Sequence, residues 1–235
     1  MGERQMGELV EFPSNGHGAG GYLSVSATGS GPGVIVIQEW WGLVDHIKDL
    51  CDRFAAEGFT ALAPDLYHGT TVGNDEPDEA GKLLMTLNLE QAARDLSGAV
   101  DFLLHHPQET GTRVGVVGFC MGGGLALMLA TQRPDAIGAC VPYYGIIPWE
   151  HANPDWSRLD APVLGHFAEN DGFFTPDKVA ELEAQLTGLG KDVELVVHPG
   201  VDHAFFNDSR PEVYDEATAD ATWAVSLGFL REKLA

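Results

Sequence analysis

Between Arg113 and Ala130 the chain reads RVGVVGFCMGGGLALMLA, the segment that most restricts how it can fold. Val114, Val116, Val117 and Phe119 form a short apolar, β-branched run, the pattern of a strand covered on both faces in a parallel sheet. Gly118-Phe119-Cys120-Met121-Gly122 comes next, and good helix formers run from Leu125 to Ala130. A strand therefore turns sharply into a helix with Cys120 at the turn. Flanking glycines suit such a turn, because larger side chains would collide with the neighbouring strand or helix. A helix N-terminus facing the sulfur favours an anion there, whether thiolate or oxyanion. The segment thus predicts a nucleophile elbow with cysteine in the place of serine. A phosphate-binding loop would need Gly-Lys-Ser/Thr, whereas Gly122 to Gly124 lead into Leu125.

Strand and helix patterns alternate around this segment. Strands are expected over Tyr22 to Ala27, Val34 to Gln38, Phe59 to Ala63, Ala136 to Tyr143, Val163 to Ala168 and Val193 to Val197. Helical spacing joins Ile47, Leu50, Cys51, Phe54 and Ala55, with Asp45 as N-cap and Gly58 as stop. It recurs over Leu89 to Leu104, over Val179, Leu182, Leu186 and Leu189 behind a Thr175-Pro176 start, and over Trp223, Leu227, Leu230 and Leu234. Gly16 to Gly21 lacks the preceding strand and following helix of a dinucleotide site and reads as a hairpin or flexible turn. Asp65 to Asp78 reads as an irregular loop over the site. The expected class is α/β, a mostly parallel central sheet with helices on both faces, as one domain over 1–235; a chain of 235 residues with 44% hydrophobic content suffices for one sizeable core.

In such sheets function sits where strands end. Asp171 follows the Val163 strand in AENDGFF and is left without a capping role, since Thr175-Pro176 starts the next helix. The loop HPGVDHAFF carries His198 at the expected strand end and His203 further on, the one better placed to reach another strand's exit. Cys120, Asp171 and His203 then follow the order nucleophile, acid, histidine of an α/β-hydrolase triad. A thiol needs a base to share its proton, and that imidazole needs a carboxylate to fix its tautomer. A metal site drawn from His166, His198, Asp202 and His203 lacks any HExxH or short paired spacing, so no metal and no cofactor is expected.

Thirteen basic against thirty-five acidic residues, a net charge of −22, argue against nucleic acid and anionic membrane surfaces as partners. Cys51, Cys120 and Cys140 have no metal-type spacing and leave one over from any pairing, which fits reduced thiols and a cytoplasmic protein. No secretory signal is expected from MGERQMGELVEF and no myristoylation of Gly2, since Met6 stands where that modification wants Ser or Thr.

The chain resembles the dienelactone hydrolases, the cysteine-nucleophile branch of the α/β-hydrolases. The resemblance runs through QEWWG (38–42), APDLYHG (63–69), GFCMGG (118–123), YYG (143–145), END (169–171) and Gly200 through HAF (203–205). It implies Cys120, Asp171 and His203 as triad, the backbone N–H groups of Met121 and Trp40 as oxyanion hole, and Glu39 as the carboxylate that contacts the resting thiol. Trp41, Tyr144, Phe174 and Asn207 are candidate substrate-binding residues; Trp40, Tyr143 and Phe173 add to the aromatics, each equally suited to core. Family members that act on dienelactone hold its carboxylate with two arginines. Here the position four beyond His203 is Asn207, and 64–88 offers only Lys82, with Arg210 as a nearby substitute. The expected enzyme is a hydrolase of lactones or activated carboxylic esters, a monomer or weak homo-oligomer acting on small molecules through an acyl-cysteine. The alternative is a thiol sensor or binding module on the same fold.

Overall fold

Apolar runs punctuated by Gly, Pro and Asp become eight strands and six α-helices in a computed structural model that describes residues 6–14, 16–149 and 152–235. Gly2, the position considered for myristoylation, lies outside the described residues. Contacts divide the chain into two units, Met1–Val114 and Gly115–Ala235.

In the first unit, β1 (Glu8–Ser14) and β2 (His17–Ser24) form an antiparallel hairpin, so the Gly-rich stretch is itself mostly strand. β2 pairs antiparallel with β4 (Thr60–Pro64), which pairs parallel with β3 (Gly33–Ile37), giving the order β1-β2-β4-β3. Every residue of β3 and β4 is buried, so both faces of these strands are covered. α1 (Asp45–Ala56) and α3 (Leu89–Leu104) pack on them through the apolar faces that their spacing predicted. Asp45, expected as N-cap, is instead the first helical residue behind Val44, and an acidic residue in this first turn suits the positive end of the helix dipole. α2 (Pro77–Thr86) was not expected from the pattern: it buries only Ala80 and so shows no apolar stripe. β1 also escapes the pattern, since only Phe12 and Ser14 of its seven residues are buried.

The second unit contains β5 from Gly115 onward (β5 spans Val114–Phe119), then β6 (Ile137–Tyr143), β7 (Val163–Asn170) and β8 (Val193–Asp202), in that spatial order. β6, β7 and β8 are parallel neighbours. α4 (Met121–Gln132) is buried nearly all round and packs on β6, whereas α5 (Pro176–Gly188) buries only Val179 and Leu186. α6 (Glu216–Lys233) starts a full two turns before Trp223, capped by Asp215, whose side chain accepts from Thr218 N–H at 2.8 Å. Its buried stripe is Ala219, Thr222, Ser226, Leu227 and Leu230, facing β6 and β7.

β8 is longer than expected, which moves both histidines. His198 lies inside the strand rather than at its end, and His203 directly follows the last strand residue rather than lying deep in a loop. The reason is a bulge: Ala168 pairs with His198 but Asn170 pairs with Asp202, so β8 carries two extra residues across from β7. Gly200 supplies the positive φ of +75° that this kink needs, and its N–H is held by Glu169 at 2.8 Å. Pro199-Gly200, which reads as a terminator, thus marks a re-aimed strand.

Candidate active site

Cys120 follows the last residue of β5 and precedes the first of α4, with φ 55° and ψ −122°. A non-glycine residue with such angles costs on the order of 1–3 kcal/mol and persists only where the surroundings dictate it. Two glycines show how. A Cβ on Gly118 would run into the Gly122 carbonyl, and a Cβ on Gly145 would run into the carbonyl of Cys120 itself. Their absence lets strand, turn and helix close on one another. The turn is then pinned by hydrogen bonds from Cys120 N–H to the Tyr143 carbonyl (3.1 Å) and from Gly123 N–H to the Cys120 carbonyl (2.9 Å). The Cys120 side chain is half-buried at the start of α4, and its charge acts on the His203 imidazole.

His203 Nδ1 lies 2.7 Å from Asp171 Oδ2. The other carboxylate oxygen of Asp171 accepts from the N–H groups of Phe173 (2.8 Å) and Phe174 (3.0 Å), so the acid is buried but fully engaged. Burial pushes the Asp171 carboxyl upward, yet the imidazole and these two N–H groups outweigh it and hold it below its ordinary value. Burial likewise pulls the His203 imidazole down, and here the charge on Cys120 and the bond to Asp171 prevail, holding it well above its ordinary value. The line Cys120, His203, Asp171 can therefore hold a proton on the imidazole beside the sulfur and pass it on.

Aromatic rings surround the histidine: Tyr144 edge-on at 5.2 Å, Phe173 at 5.6 Å and Phe174 at 6.0 Å between ring centroids. Tyr144 and Phe174 are buried, while Phe173 is 62% exposed. Asn207 is buried as well, and its carbonyl oxygen accepts from Ser209 N–H (3.1 Å) and Oγ (2.6 Å), closing the loop after β8. Arg210 donates to Glu212 at 2.9 Å.

The remaining sequence candidates belong to the first unit, in the turn after β3. Glu39 and Trp41 are buried and Trp40 is half-buried, with the two indoles edge-to-face at 5.1 Å. Val72 N–H donates to the Trp41 carbonyl at 2.9 Å, and Leu66 N–H to the Gln38 side chain at 3.2 Å, so this turn is fixed to the one after β4. Lys82 is paired with Glu79 at 2.6 Å on α2.

The four residues weighed as metal ligands do not form a ligand set: among the described residues no group of three or more His, Cys, Asp or Glu could hold a metal ion. His166 and His198 instead bond each other, Nδ1 to Nε2 at 3.1 Å, and His166 Nε2 meets Ser226 Oγ at 3.1 Å. Ser226 Oγ also lies 2.8 Å from the Tyr143 hydroxyl. Sequence reasoning missed this buried cluster. The one signal was a histidine set in the apolar run VLGHFA; nothing marked Ser226. No helix among the described residues is long and apolar enough to cross a membrane.

The sequence profile of the Dienelactone hydrolase family matches residues 20–234. The chain is 40% identical over 240 residues to "Protein usf" of Aquifex pyrophilus, covering 97% of this chain and all of that protein. It is 35% identical to a protein of Aquifex aeolicus named "Putative carboxymethylenebutenolidase", again over 97% of this chain and all of the relative. Among solved structures, a Klebsiella pneumoniae protein described as a "Putative Dienelactone Hydrolase" superposes with a TM-score of 0.86 at 30% identity, covering 96% of this chain and 98% of that one.

Proposed function

The chain belongs to the dienelactone hydrolase family and has an α/β-hydrolase fold, and from that premise we propose that Cys120, His203 and Asp171 carry out lactone or ester hydrolysis through an acyl-cysteine. The observation that carries this reading is the strained Cys120 at the start of α4 together with a His203 imidazole that is bonded to the buried Asp171 and acted on by the Cys120 charge. Membership of the family makes the protein a lactone or ester hydrolase; the division of labour within the site is our assignment. The family profile runs through both units of the chain, which supports reading 1–235 as one catalytic domain.

Cys120 Sγ attacks the substrate carbonyl, its proton passing to His203, and the carbonyl oxygen becomes an oxyanion at the N-terminus of α4, where we assign the Met121 N–H as one donor. The second donor, the Trp40 N–H, and the roles of Glu39 and Trp41 rest on the QEWWG motif alone. Collapse of the adduct breaks the carbon–oxygen bond, and His203 returns the proton to the leaving oxygen, which in a lactone stays attached to the acyl chain. Water then attacks the thioester, giving one proton to His203 and freeing the acid, and Cys120 recovers its proton. Asp171 holds the imidazole in one tautomer and stabilises its cation in both halves. A thiolate leaves more readily than an amine, so adducts of amides would revert, while activated esters and enol lactones proceed.

The test is intact mass spectrometry after mixing the protein with enol lactones and aryl esters. An acyl adduct on wild-type protein that turns over, and that Cys120→Ala neither forms nor hydrolyses, is the expected result. Turnover by Cys120→Ala refutes the mechanism, and modification by oxidants alone would indicate a thiol sensor.

A further inference from the structure

The Cys120 backbone does not hold its strained conformation unaided. Its N–H is fixed by the Tyr143 carbonyl, and its own carbonyl packs against Gly145, so the exit of β6 acts as the mould for the turn. That exit is in turn held from β7, where Tyr143 is paired with His166 in register and Tyr144 N–H donates to the His166 carbonyl at 2.7 Å. The side chains of these same two residues, Tyr143 and His166, both end on the hydroxyl of Ser226 in α6. We propose that Ser226 is a positioning residue for the nucleophile: its buried hydroxyl ties Tyr143 and His166 to α6 and through their backbones holds Cys120 in its strained, reactive conformation. This rests on the reading of Cys120 as nucleophile.

The chemistry of the contact suits that role. A serine hydroxyl donates once and accepts from others, so it can serve a phenol and an imidazole together. All three groups are fully or almost fully buried, which makes an unmatched partner expensive and the arrangement single-valued. His166 has its other nitrogen on His198, so its ring cannot turn to find a substitute, and Tyr143 is further fixed by its ring stacked on Phe119 at 4.9 Å, the residue before the nucleophile. Loss of Ser226 therefore leaves His166 Nε2 without this contact and lets β6 and β7 shift against α6 directly beneath the elbow.

Ser226→Ala, Tyr143→Phe and the double variant should be compared with wild type in kcat and KM for an aryl ester, in the rate of iodoacetamide labelling of Cys120 without substrate, and in thermal midpoint. Each single variant should lose on the order of 10-fold or more in kcat, the scale of a misplaced reacting group, with KM changed by less than about twofold. Labelling should slow in parallel, and the double variant should be no worse than the poorer single one, because both cut the same contact. Tyr143→Phe keeps the ring and serves where Ser226→Ala does not fold. Variants that melt earlier but keep kcat and labelling at wild-type levels while folded would overturn the proposal and leave Ser226 a packing residue. Slowed labelling in a protein that hydrolyses no ester even as wild type would uphold the positioning role and refute the hydrolytic reading instead.

Discussion

Lowering the pH should destabilise this protein chiefly through one buried imidazole. Burial, with the neighbouring His198 charge adding to it, pulls His166 from an ordinary value of 6.5 to about 3 in the folded chain. Between these values the unfolded chain binds a proton that the folded one refuses, so stability rises with pH across that window and falls as the solution is acidified. At pH 7 the effect is nearly absent. At pH 5 the folded group is still neutral while the unfolded one is almost fully charged, and the difference is about 2 kcal/mol, growing to about 3 kcal/mol at pH 4. This is a large share of a typical net stability of roughly 5–15 kcal/mol. His198 and His106 are lowered too, by burial, and act in the same direction, whereas His203 is raised and contributes stability that is already complete below 6.5 and is lost only as pH climbs. Subtracting a His166→Asn variant therefore isolates the term. Urea unfolding followed by tryptophan fluorescence at pH 7.5, 6 and 5 should show the variant gaining about 2 kcal/mol on wild type between the ends of the series. Parallel pH dependences for the two proteins would refute the reasoning, since they would mean that His166 accepts its proton as readily folded as unfolded.

Other outcomes follow from the site. Asp171→Asn should keep the fold but cost on the order of 10³–10⁴-fold in kcat, because an amide no longer enforces the imidazole tautomer; near-normal turnover would remove Asp171 from the mechanism. Gly145→Ala pushes a methyl group into the Cys120 carbonyl and should cost on the order of 10²-fold in kcat with a far-ultraviolet dichroism spectrum like wild type, so full activity would show that the elbow tolerates displacement. Neutral aryl esters or lactones should give higher kcat/KM than carboxylate-bearing analogues of matched leaving group at both low and high salt. Lys82 and Arg210 are already paired with Glu79 and Glu212, and the net charge of −22 repels anions at low salt. A preference for the anionic analogue at both salts would reverse this reading.

Periodicity carried the buried elements well. α3 runs over the very span that its spacing predicts, and the expected strands from 114 to 168 meet β5, β6 and β7 to within a residue or two. The misses have a common cause, which is that a pattern can be read only where burial creates one. β1 and α2 are mostly exposed and carry no stripe. The bulge in β8 was hidden because Pro199-Gly200 is ordinary turn chemistry and becomes a strand kink only with β7 beside it. The candidate acid and histidine were legible because strand exits confine chemistry to few positions. Ser226 was not, because a serine inside an amphipathic helix looks the same whether it faces water or a buried phenol.

The three proposed groups share one arrangement. Cys120 follows the last residue of β5, Asp171 the last of β7, and His203 the last of β8. A residue one step past a strand inherits the strand's position but is released from its pairing, so it can turn toward its neighbours while its backbone remains anchored. At each of these three exits a device re-aims the chain: the positive φ of Cys120, the two N–H groups that fold 171–174 onto the Asp171 carboxylate, and the Gly200 bulge three residues before His203. The packed sheet supplies the rigidity and the irregularities supply the direction. Strain is accordingly concentrated where the strands stop, and the buried contacts beneath them, Tyr143, His166 and Ser226 among them, are what keep it from relaxing.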